Sequence, residues 1–326
     1  MDTLLGWLAR RALHGLFVLF GVSVLSFVLV ELAPGDFFAE MRLDPRISEA
    51  TLRTLRARHG LDRPLPERYA RWAASLARGE LGYSFAYGSP VATLLWPRVR
   101  NTLLLTTTAT ATAWALAIPV GAWWAATRRA ATRRSLAVLM AVLLAIPDII
   151  LALALLLLAV RTGWFPAGGM TSVGHEQMSL AARIRDIVSH LVLPAAALAL
   201  CVLPSLTRHV RASVAATLDA PFVQAARGHG LPEWRVLFAH ALPAAANPLI
   251  SLFGLSLATL LSMSLLVEIV MSWPGLGPLL LEAILARDFH LVLGLVLAST
   301  VLLLGGNVLA DALLLAADPR IRREEK

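Results

Sequence analysis

Long apolar blocks, each without a charged residue or nearly so, are the main pattern of this chain. They cover residues 12–30, 101–127, 135–160, 191–207, 241–267 and 291–310. A helix needs about 20 apolar residues to cross a bilayer, and a helix satisfies its own backbone hydrogen bonds in lipid. The pattern therefore predicts an all-α integral membrane protein with six transmembrane helices, of which the fourth is the shortest.

The composition agrees with this prediction. Of the 326 residues, 58% are hydrophobic and 15% are charged, whereas soluble domains carry about 25% charged residues. The first block is longer than the apolar region of a signal peptide, and no A-x-A site follows it, so we expect a retained span. The single cysteine, Cys201, lies in the fourth block and permits no internal disulfide.

Basic residues collect at the ends of particular blocks. They stand before the first block, between the second and third, in the polar insert 208–240 and in the tail: Arg10, Arg11, Arg128, Arg129, Arg133, Arg134, Arg208, Arg211, Arg227, Arg235, Arg320, Arg322 and Arg323. Because short loops rich in arginine stay in the cytoplasm, we expect both termini and the insert inside the cell. The basic residues do not form one face, so no nucleic-acid partner is predicted.

These patterns divide the chain into four parts. They are the N-terminal tail and first span (1–33), an external loop (34–98), a five-helix core with the cytoplasmic loop 208–243 (99–318), and a cytoplasmic tail (319–326). The external loop is predicted to be helical, with one helix after Ser48 that Gly60 ends and another over 63–78 that Gly79 ends. Several side chains of the second helix suit a surface near the membrane interface: Tyr69, Arg71, Trp72 and Leu76.

The residues of a nucleotide-hydrolysing enzyme are missing from the sequence. The only lysine is Lys326, and a P-loop needs a lysine after its glycines to reach the phosphates. There is no metalloprotease motif, no nucleophile elbow and no spaced Cys/His quartet, and the eight histidines are scattered. We predict a protein that is not an enzyme, has no metal site and holds no cofactor itself.

The polar insert reads as two helices joined by a glycine turn. Asp219 and Pro221 suit a helix start, and Gly230 fits the left-handed position that ends a helix, with Leu231 packing back on the turn. Pro232 suits the first turn of the next helix.

One face of the first of these helices consists of Phe222, Ala225 and Ala226, which fall at helical spacing. The small alanines would let another protein surface approach closely. Taken alone, the segment also fits an ordinary amphipathic connector between two spans.

The spacing resembles the EAA loop of bacterial ABC importer permeases, where a glycine follows EAA after three residues and I-x-L-P follows after nine more. Gln224-Ala225-Ala226, Gly230 and Leu242-Pro243 fall at the matching positions. Gln224 replaces the usual glutamate and His240 replaces isoleucine. A histidine followed by Ala-Leu is similar to the peptide-transporter branch of that family.

Further motifs resemble those of dipeptide and oligopeptide permeases, in the same order along nearly the whole chain. They are Pro34-Gly35-Asp36, the stretches 60–66 and 79–82, Pro274-Gly275-Leu276-Gly277 and residues 318–322. Together with the EAA spacing they make the chain resemble the dipeptide, oligopeptide and nickel branch of ABC importer permeases. The long first external loop is similar to the first permease of a heterodimeric pair.

The resemblance implies a permease of the bacterial plasma (inner) membrane that imports di- or oligopeptides and forms half of a pathway with a second homologous permease. Two ATP-binding subunits would drive it, and an extracytoplasmic solute-binding protein would deliver the solute. A coupling helix over 221–230 would fit a groove of an ATPase. The implied ATPase-coupling residues are Phe222, Gln224, Ala225, Ala226, Gly230 and Leu231.

Four polar side chains in or near the apolar blocks are candidates for the pathway or a gate: Asp148, Glu268, Asn307 and Asp311. Ionisable residues are costly in a bilayer and mark functional sites by default. The resemblance supplies matches for three of them, Glu268, Asn307 and Asp311. The alternative is a polar contact between helices. Prolines in or near the blocks predict bends: Pro119, Pro147, Pro194 and Pro204.

Two other functions remain open from the sequence. The same fold would serve for import of nickel chelates, glutathione or a sugar-derived solute. A self-sufficient secondary transporter or channel belongs to another class, and the lack of a clear inverted repeat argues against it. Neighbouring genes with Walker motifs would favour the ATP-driven importer, and activity of the purified chain alone under an ion gradient would favour the secondary transporter.

Overall fold

The computed structural model describes residues 2–32, 54 and 63–317. The predicted helix after Ser48 and the motifs at 34–36, 60–62 and 318–322 lie outside these residues. The helices are α1 (Asp2–Leu32), α2 (Leu65–Ala77), α3 (Val91–Ala126), α4 (Ala130–Ala145), α5 (Asp148–Thr162), α6 (Leu180–Leu218), α7 (Pro221–Gly228), α8 (Glu233–Arg235), α9 (Leu242–Ala244), α10 (Ala246–Val270), α11 (Leu276–Leu285) and α12 (Phe289–Ala317). A short antiparallel hairpin joins β1 (Tyr83–Ser84) to β2 (Ser89–Pro90).

All six apolar blocks of the sequence are helical, which confirms the all-α membrane class. Five helices are long and apolar enough to cross a bilayer: α1 from Ala9, α3, α6, α10 and α12 as far as Leu313. The predicted third span is the pair α4 and α5, which bend by 97° at their junction. By length and composition, the described residues therefore give five candidate spans, or six if the bent pair crosses as one.

Pro147 breaks the third block more sharply than the predicted bend. Ile146 and Pro147 both adopt extended backbone, with ψ of 122° and 142°. A proline supplies no N–H to the preceding turn and disfavours helical backbone in the residue before it. The helix therefore stops at Ala145 and restarts at Asp148, and residues 135–160 do not form one straight span.

The fourth span is longer than its apolar block suggests. α6 runs for 39 residues and keeps Pro194 and Pro204 inside it, although the sequence predicted the shortest span, over 191–207. Asp186 and His190 end the apolar block on one side, but both are buried within α6. Helices tolerate internal proline where neighbouring helices cover the freed backbone groups, and α6 packs against α4, α5 and α10.

The chain forms two compact units, Met1–Asn101 with Pro274–Leu302 and Thr102–Trp273 with Leu303–Lys326. In the second unit, small residues bring helices together. A Cβ on Gly121 of α3 would lie 2.7 Å from Cβ of Val210 on α6. Trp114 of α3 donates its indole N–H to the hydroxyl of Ser256 on α10 at 3.0 Å. The largest share of the buried core of this unit comes from α6.

The first unit contains an aromatic cluster around Phe27 of α1. Its ring centroid lies 5.3 Å from Tyr69, 6.0 Å from Trp72 and 5.0 Å from Phe289. Trp72 is 6% exposed. The prediction that Tyr69 and Trp72 face the membrane interface is therefore wrong in its detail, because these rings pack against α1 and α12. The predicted helix over 63–78 itself is confirmed as α2.

A buried carboxylate fixes the hairpin in the first unit. Asp288 is fully buried and accepts hydrogen bonds from the Ser84 hydroxyl at 2.6 Å and the Ala86 N–H at 3.0 Å. Its other oxygen accepts the N–H of Leu291 at 3.1 Å, at the start of α12. The carboxylate thus satisfies donors from two segments that lie about two hundred residues apart in sequence.

Replacing Gly254 by alanine tests the closest helix contact of the second unit. The added Cβ would lie 1.8 Å from Cβ of Ala310 on α12, so α10 and α12 must separate. Overpacking of this kind costs about 1–3 kcal/mol, and we expect that loss in the free energy of unfolding of the detergent-solubilised chain.

Gly305→Ala is the matched control. Gly305 lies on α12 and nothing lies within 4 Å of an added Cβ. Alanine there is expected to leave stability unchanged or raise it by up to about 1 kcal/mol through helix propensity. Equal stability of the two variants would contradict the close contact.

Candidate functional site

The polar insert begins where α6 ends. Asp219 closes α6 as its C-cap, and Ala220, in extended backbone, precedes Pro221 at the first position of α7. The predicted helix start is confirmed, but Asp219 is not its cap: Ala220 occupies that position and no side chain caps α7. Two residues, Asp219 and Ala220, therefore separate the long helix α6 from the short helix α7.

The two sides of α7 differ in burial. Val223 is 0% exposed and packs into the core of its unit, whereas Phe222 is 50% exposed. Gln224 and Ala225 are also exposed, and Ala226 is half-buried. The structure thus brings the predicted face of Phe222, Ala225 and Ala226 to the outer side of α7.

Gly230 ends this segment in the expected conformation. Its φ is +78°, and its N–H bonds the carbonyl of Arg227 at 2.9 Å. An added Cβ would meet nothing within 4 Å, so only the left-handed backbone requires glycine here. Leu231 follows half-buried against the core, as predicted.

Two side chains of α7 also form hydrogen bonds with the elements on either side of it, α6 and α8. Arg227 donates from Nε to Glu233 Oε1 at 3.1 Å and from Nη2 to Oε2 at 3.2 Å. Its Nη1 points to the carbonyl of Leu218 at 3.5 Å, and Gln224 donates to the same carbonyl at 3.2 Å. Sequence reasoning missed this arrangement. The available signal was a pair of opposite charges, six residues apart, on either side of a Gly-Leu-Pro turn.

An irregular stretch connects the insert to the next span. Val236–Ala241 form a π-helical turn, in which the Leu242 N–H bonds the carbonyl of Leu237, five residues back. Pro243 has no N–H to continue that series, and Ala245 leaves helical geometry before α10 begins. His240, which stands at the isoleucine position of the EAA-type spacing, therefore lies in a π-turn.

The four pathway candidates lie on three helices. Glu268 is 0% exposed near the end of α10. Asp148 is the first residue of α5. Asn307 and Asp311 are half-buried and lie one turn apart on α12. The structure therefore brings only Asn307 and Asp311 together on one helix face, and none of the four roles is tested by this geometry.

Asp186 is a polar centre that the sequence did not indicate. Its carboxylate accepts the Ser172 N–H at 2.9 Å and the Ser172 hydroxyl at 2.6 Å, and it lies 2.7 Å from Nδ1 of His175. Nδ1 of His190 lies 3.4 Å away, one helical turn along α6. These contacts attach the loop before α6 to the helix. Among the described residues, no group of three His, Cys, Asp or Glu side chains is arranged to hold a metal ion.

Comparison with known families identifies this architecture. Residues 117–323 match the family described as binding-protein-dependent transport system inner membrane component, and residues 4–106 match the N-terminal part of such membrane components. The chain belongs to this family. The resemblance drawn from the EAA spacing and the flanking motifs is thereby confirmed, and the protein is a multi-pass membrane protein.

Relatives match over nearly the whole chain. The oligopeptide transport system permease protein AppB of Bacillus subtilis is 35% identical over 97% of this chain and 98% of its own. The di/tripeptide transport system permease protein DppB of Pseudomonas aeruginosa is 32% identical over 98% of this chain and 100% of its own. A chain of the MetNI methionine ABC transporter in an inward-facing form shares the fold, at 21% identity and a TM-score of 0.50. It covers 68% of this chain and 97% of its own.

Tyr87 of the hairpin gives a titration that can be measured. Burial and a hydrogen bond to Glu282 raise the pKa of Tyr87 from 10.0 to about 12. A raised pKa means that the folded state holds the phenolic proton more tightly. Its contribution to stability is therefore complete below pH 10 and is lost as the pH rises through 12.

Tyrosinate absorbance of the folded chain is expected to show one of the three tyrosines ionising near pH 12, and that component should be absent in Tyr87→Phe. Glu282→Gln should move the component to lower pH, because it removes the negative charge beside the phenol and leaves only a neutral amide oxygen as acceptor. Ionisation of Tyr87 at its ordinary pKa in the unmodified chain would contradict this contact.

Proposed function

We propose that this chain is the permease subunit of an ATP-driven importer of di- or oligopeptides. It lies in the bacterial inner membrane with both termini and the loop 208–243 in the cytoplasm. It forms half of the translocation pathway with a second homologous permease. Two ATP-binding subunits supply the energy, and an extracytoplasmic solute-binding protein delivers the peptide.

The exposed face of α7 is the observation that carries the ATPase contact. Val223 fixes the inner side of this short helix in the core, and Phe222 is left half exposed on the outer side beside Ala225. A short helix with an aromatic anchor and small neighbours suits insertion into a groove of a partner protein. The chain has a single lysine, Lys326, and no P-loop of its own, so the nucleotide chemistry must come from that partner.

The names of the relatives support peptides as the cargo. Permeases named for oligopeptides and for di- and tripeptides align with the chain over almost its full length. No described contact favours a nickel chelate or glutathione. A secondary transporter has no need of an exposed coupling face.

Purification of the chain with its partners tests the proposed function. We expect a second permease and two proteins with Walker motifs to co-purify, and mass spectrometry to find peptides in the associated binding protein. Uptake of a mixture of tri- to hexapeptides into proteoliposomes should require ATP. Uptake by the chain alone under an ion gradient would contradict the proposal, and a non-peptide solute in the binding protein would contradict the cargo.

Gly230→Val is expected to uncouple ATP hydrolysis from uptake in the assembled transporter. A residue with a side chain costs about 1–2 kcal/mol in left-handed backbone, and relief of that strain would move α7 away from its position. We expect about fivefold more ATP hydrolysed per peptide imported, which corresponds to an energy of this size.

Gly79→Val is the matched control. Gly79 ends α2 with φ +85° and, like Gly230, has nothing within 4 Å of an added Cβ. The two variants therefore carry similar backbone strain at the ends of two short helices, but only one lies at α7. Normal coupling in Gly230→Val, or equal uncoupling in both variants, would refute the assigned role of the turn.

A further inference from the structure

Arg227 occupies an unusual position in the insert, because its guanidinium reaches both elements that flank its own helix. Two nitrogens face the two carboxylate oxygens of Glu233, which begins α8, at 3.1 and 3.2 Å. The third nitrogen faces the Leu218 carbonyl at the end of α6 at 3.5 Å. A forked, planar guanidinium is the only cationic side chain that can make such a set of contacts at once.

The contact with Leu218 satisfies a group that α6 leaves open. The last four carbonyls of a helix have no partner within the helix. Gln224, one turn before Arg227 on α7, donates to the same carbonyl at 3.2 Å. The C-terminus of α6 is therefore closed by two side chains of α7, and a positive charge there is favourable to the helix dipole.

The contact with Glu233 closes the turn on the other side. Gly230 reverses the chain between Arg227 and Glu233, and the bidentate pair spans that turn. The Arg227 side chain is 25% exposed and that of Glu233 is 61% exposed. Exposed ion pairs contribute little to overall stability. The main effect expected of this pair is therefore on the position of α7 relative to α8, and not on the free energy of unfolding.

We propose that Arg227 is a positioning residue that fastens α7 to the end of α6 and to the start of α8. This role rests on the proposed function of α7 as the ATPase-contacting helix. A displacement of α7 then moves α6 and α8 together, because the three elements share one guanidinium. Without that link, α7 would turn about Asp219 and Ala220 on one side and the glycine turn on the other.

The test has a structural readout that needs no transport. Spin labels are placed at Ala216→Cys on α6 and Trp234→Cys on α8, both exposed positions, in a Cys201→Ser background that removes the only native thiol. Electron paramagnetic resonance of the full chain, assembled with its partners, gives the distribution of distances between the labels. We expect Arg227→Met and Glu233→Gln to broaden it. Arg227→Lys should fall between, because a lysine reaches only one of the two partners at a time.

The second readout is ATP hydrolysed per peptide, with the same mixture of tri- to hexapeptides as probe. Arg227→Met is expected to raise this ratio about fivefold, the effect of losing one ordinary interaction. Arg63→Met is the matched control, because it breaks an exposed contact of 2.7 Å between Arg63, which precedes α2, and Glu67 on α2, and it leaves Glu67 bonded to Arg71. It should leave both readouts unchanged.

A narrow distance distribution together with normal coupling in Arg227→Met would overturn the positioning role. If Arg227→Met does not assemble, the same two measurements on Glu233→Gln test the positioning role. If the unmodified complex shows no ATP-dependent uptake, the proposed function fails, and the distance distributions still decide whether Arg227 fastens the three elements.

Discussion

A backbone amide inside a bilayer has no water to bond, and most of this structure follows from that constraint. It explains why each apolar block is a helix and why exposed hydroxyls on the spans turn back on their own backbone. Thr112 bonds the carbonyl of Thr108, and Thr259 bonds that of Leu255, each four residues earlier. Irregular backbone is then confined to a few places, chiefly the break at Pro147 and the polar insert between α6 and α10.

The sequence predicted those features that depend on the periodicity and length of apolar residues. The class, the helical blocks, α2 and the turn at Gly230 all follow from local patterns. The apolar block at 191–207 is much shorter than α6. The sequence could not show this, because the burial of Asp186 and His190 depends on partners that are not local. Ser172 and His175 are distant enough in sequence that no pattern pairs them with Asp186.

The same limit applies to the candidate site. The exposed face of α7 could be predicted from helical spacing, since Phe222, Ala225 and Ala226 fall on one side of any helix that begins at Pro221. The contacts of Arg227 could not, because they depend on how the chain reverses after His229. The burial of Trp72 could not be predicted either. An aromatic residue beside arginines gives the same sequence pattern whether its ring faces lipid headgroups or packs on Phe27.

The insert joins its two neighbouring spans in different ways. On the α6 side, only Asp219 and Ala220 lie between the two helices, and side-chain bonds to Leu218 close the junction. On the α10 side lie α8, a π-turn, α9 and the non-helical Ala245. A motion that begins at α7 therefore reaches α6 through a short, bonded connection and reaches α10 through a longer and less regular one.

The π-turn determines what the loss of one residue would do at this point of the chain. A π-turn holds one residue more than the α-helical turn that would replace it. Deleting a single residue between Val236 and Ala241 would remove that extra residue and allow an ordinary helical turn to form, with the later side chains of the span facing nearly as before. The same deletion from regular helix would rotate every later position by about 100°. Glu268, fully buried near the end of α10, would therefore keep its neighbours after the first deletion and lose them after one within α10.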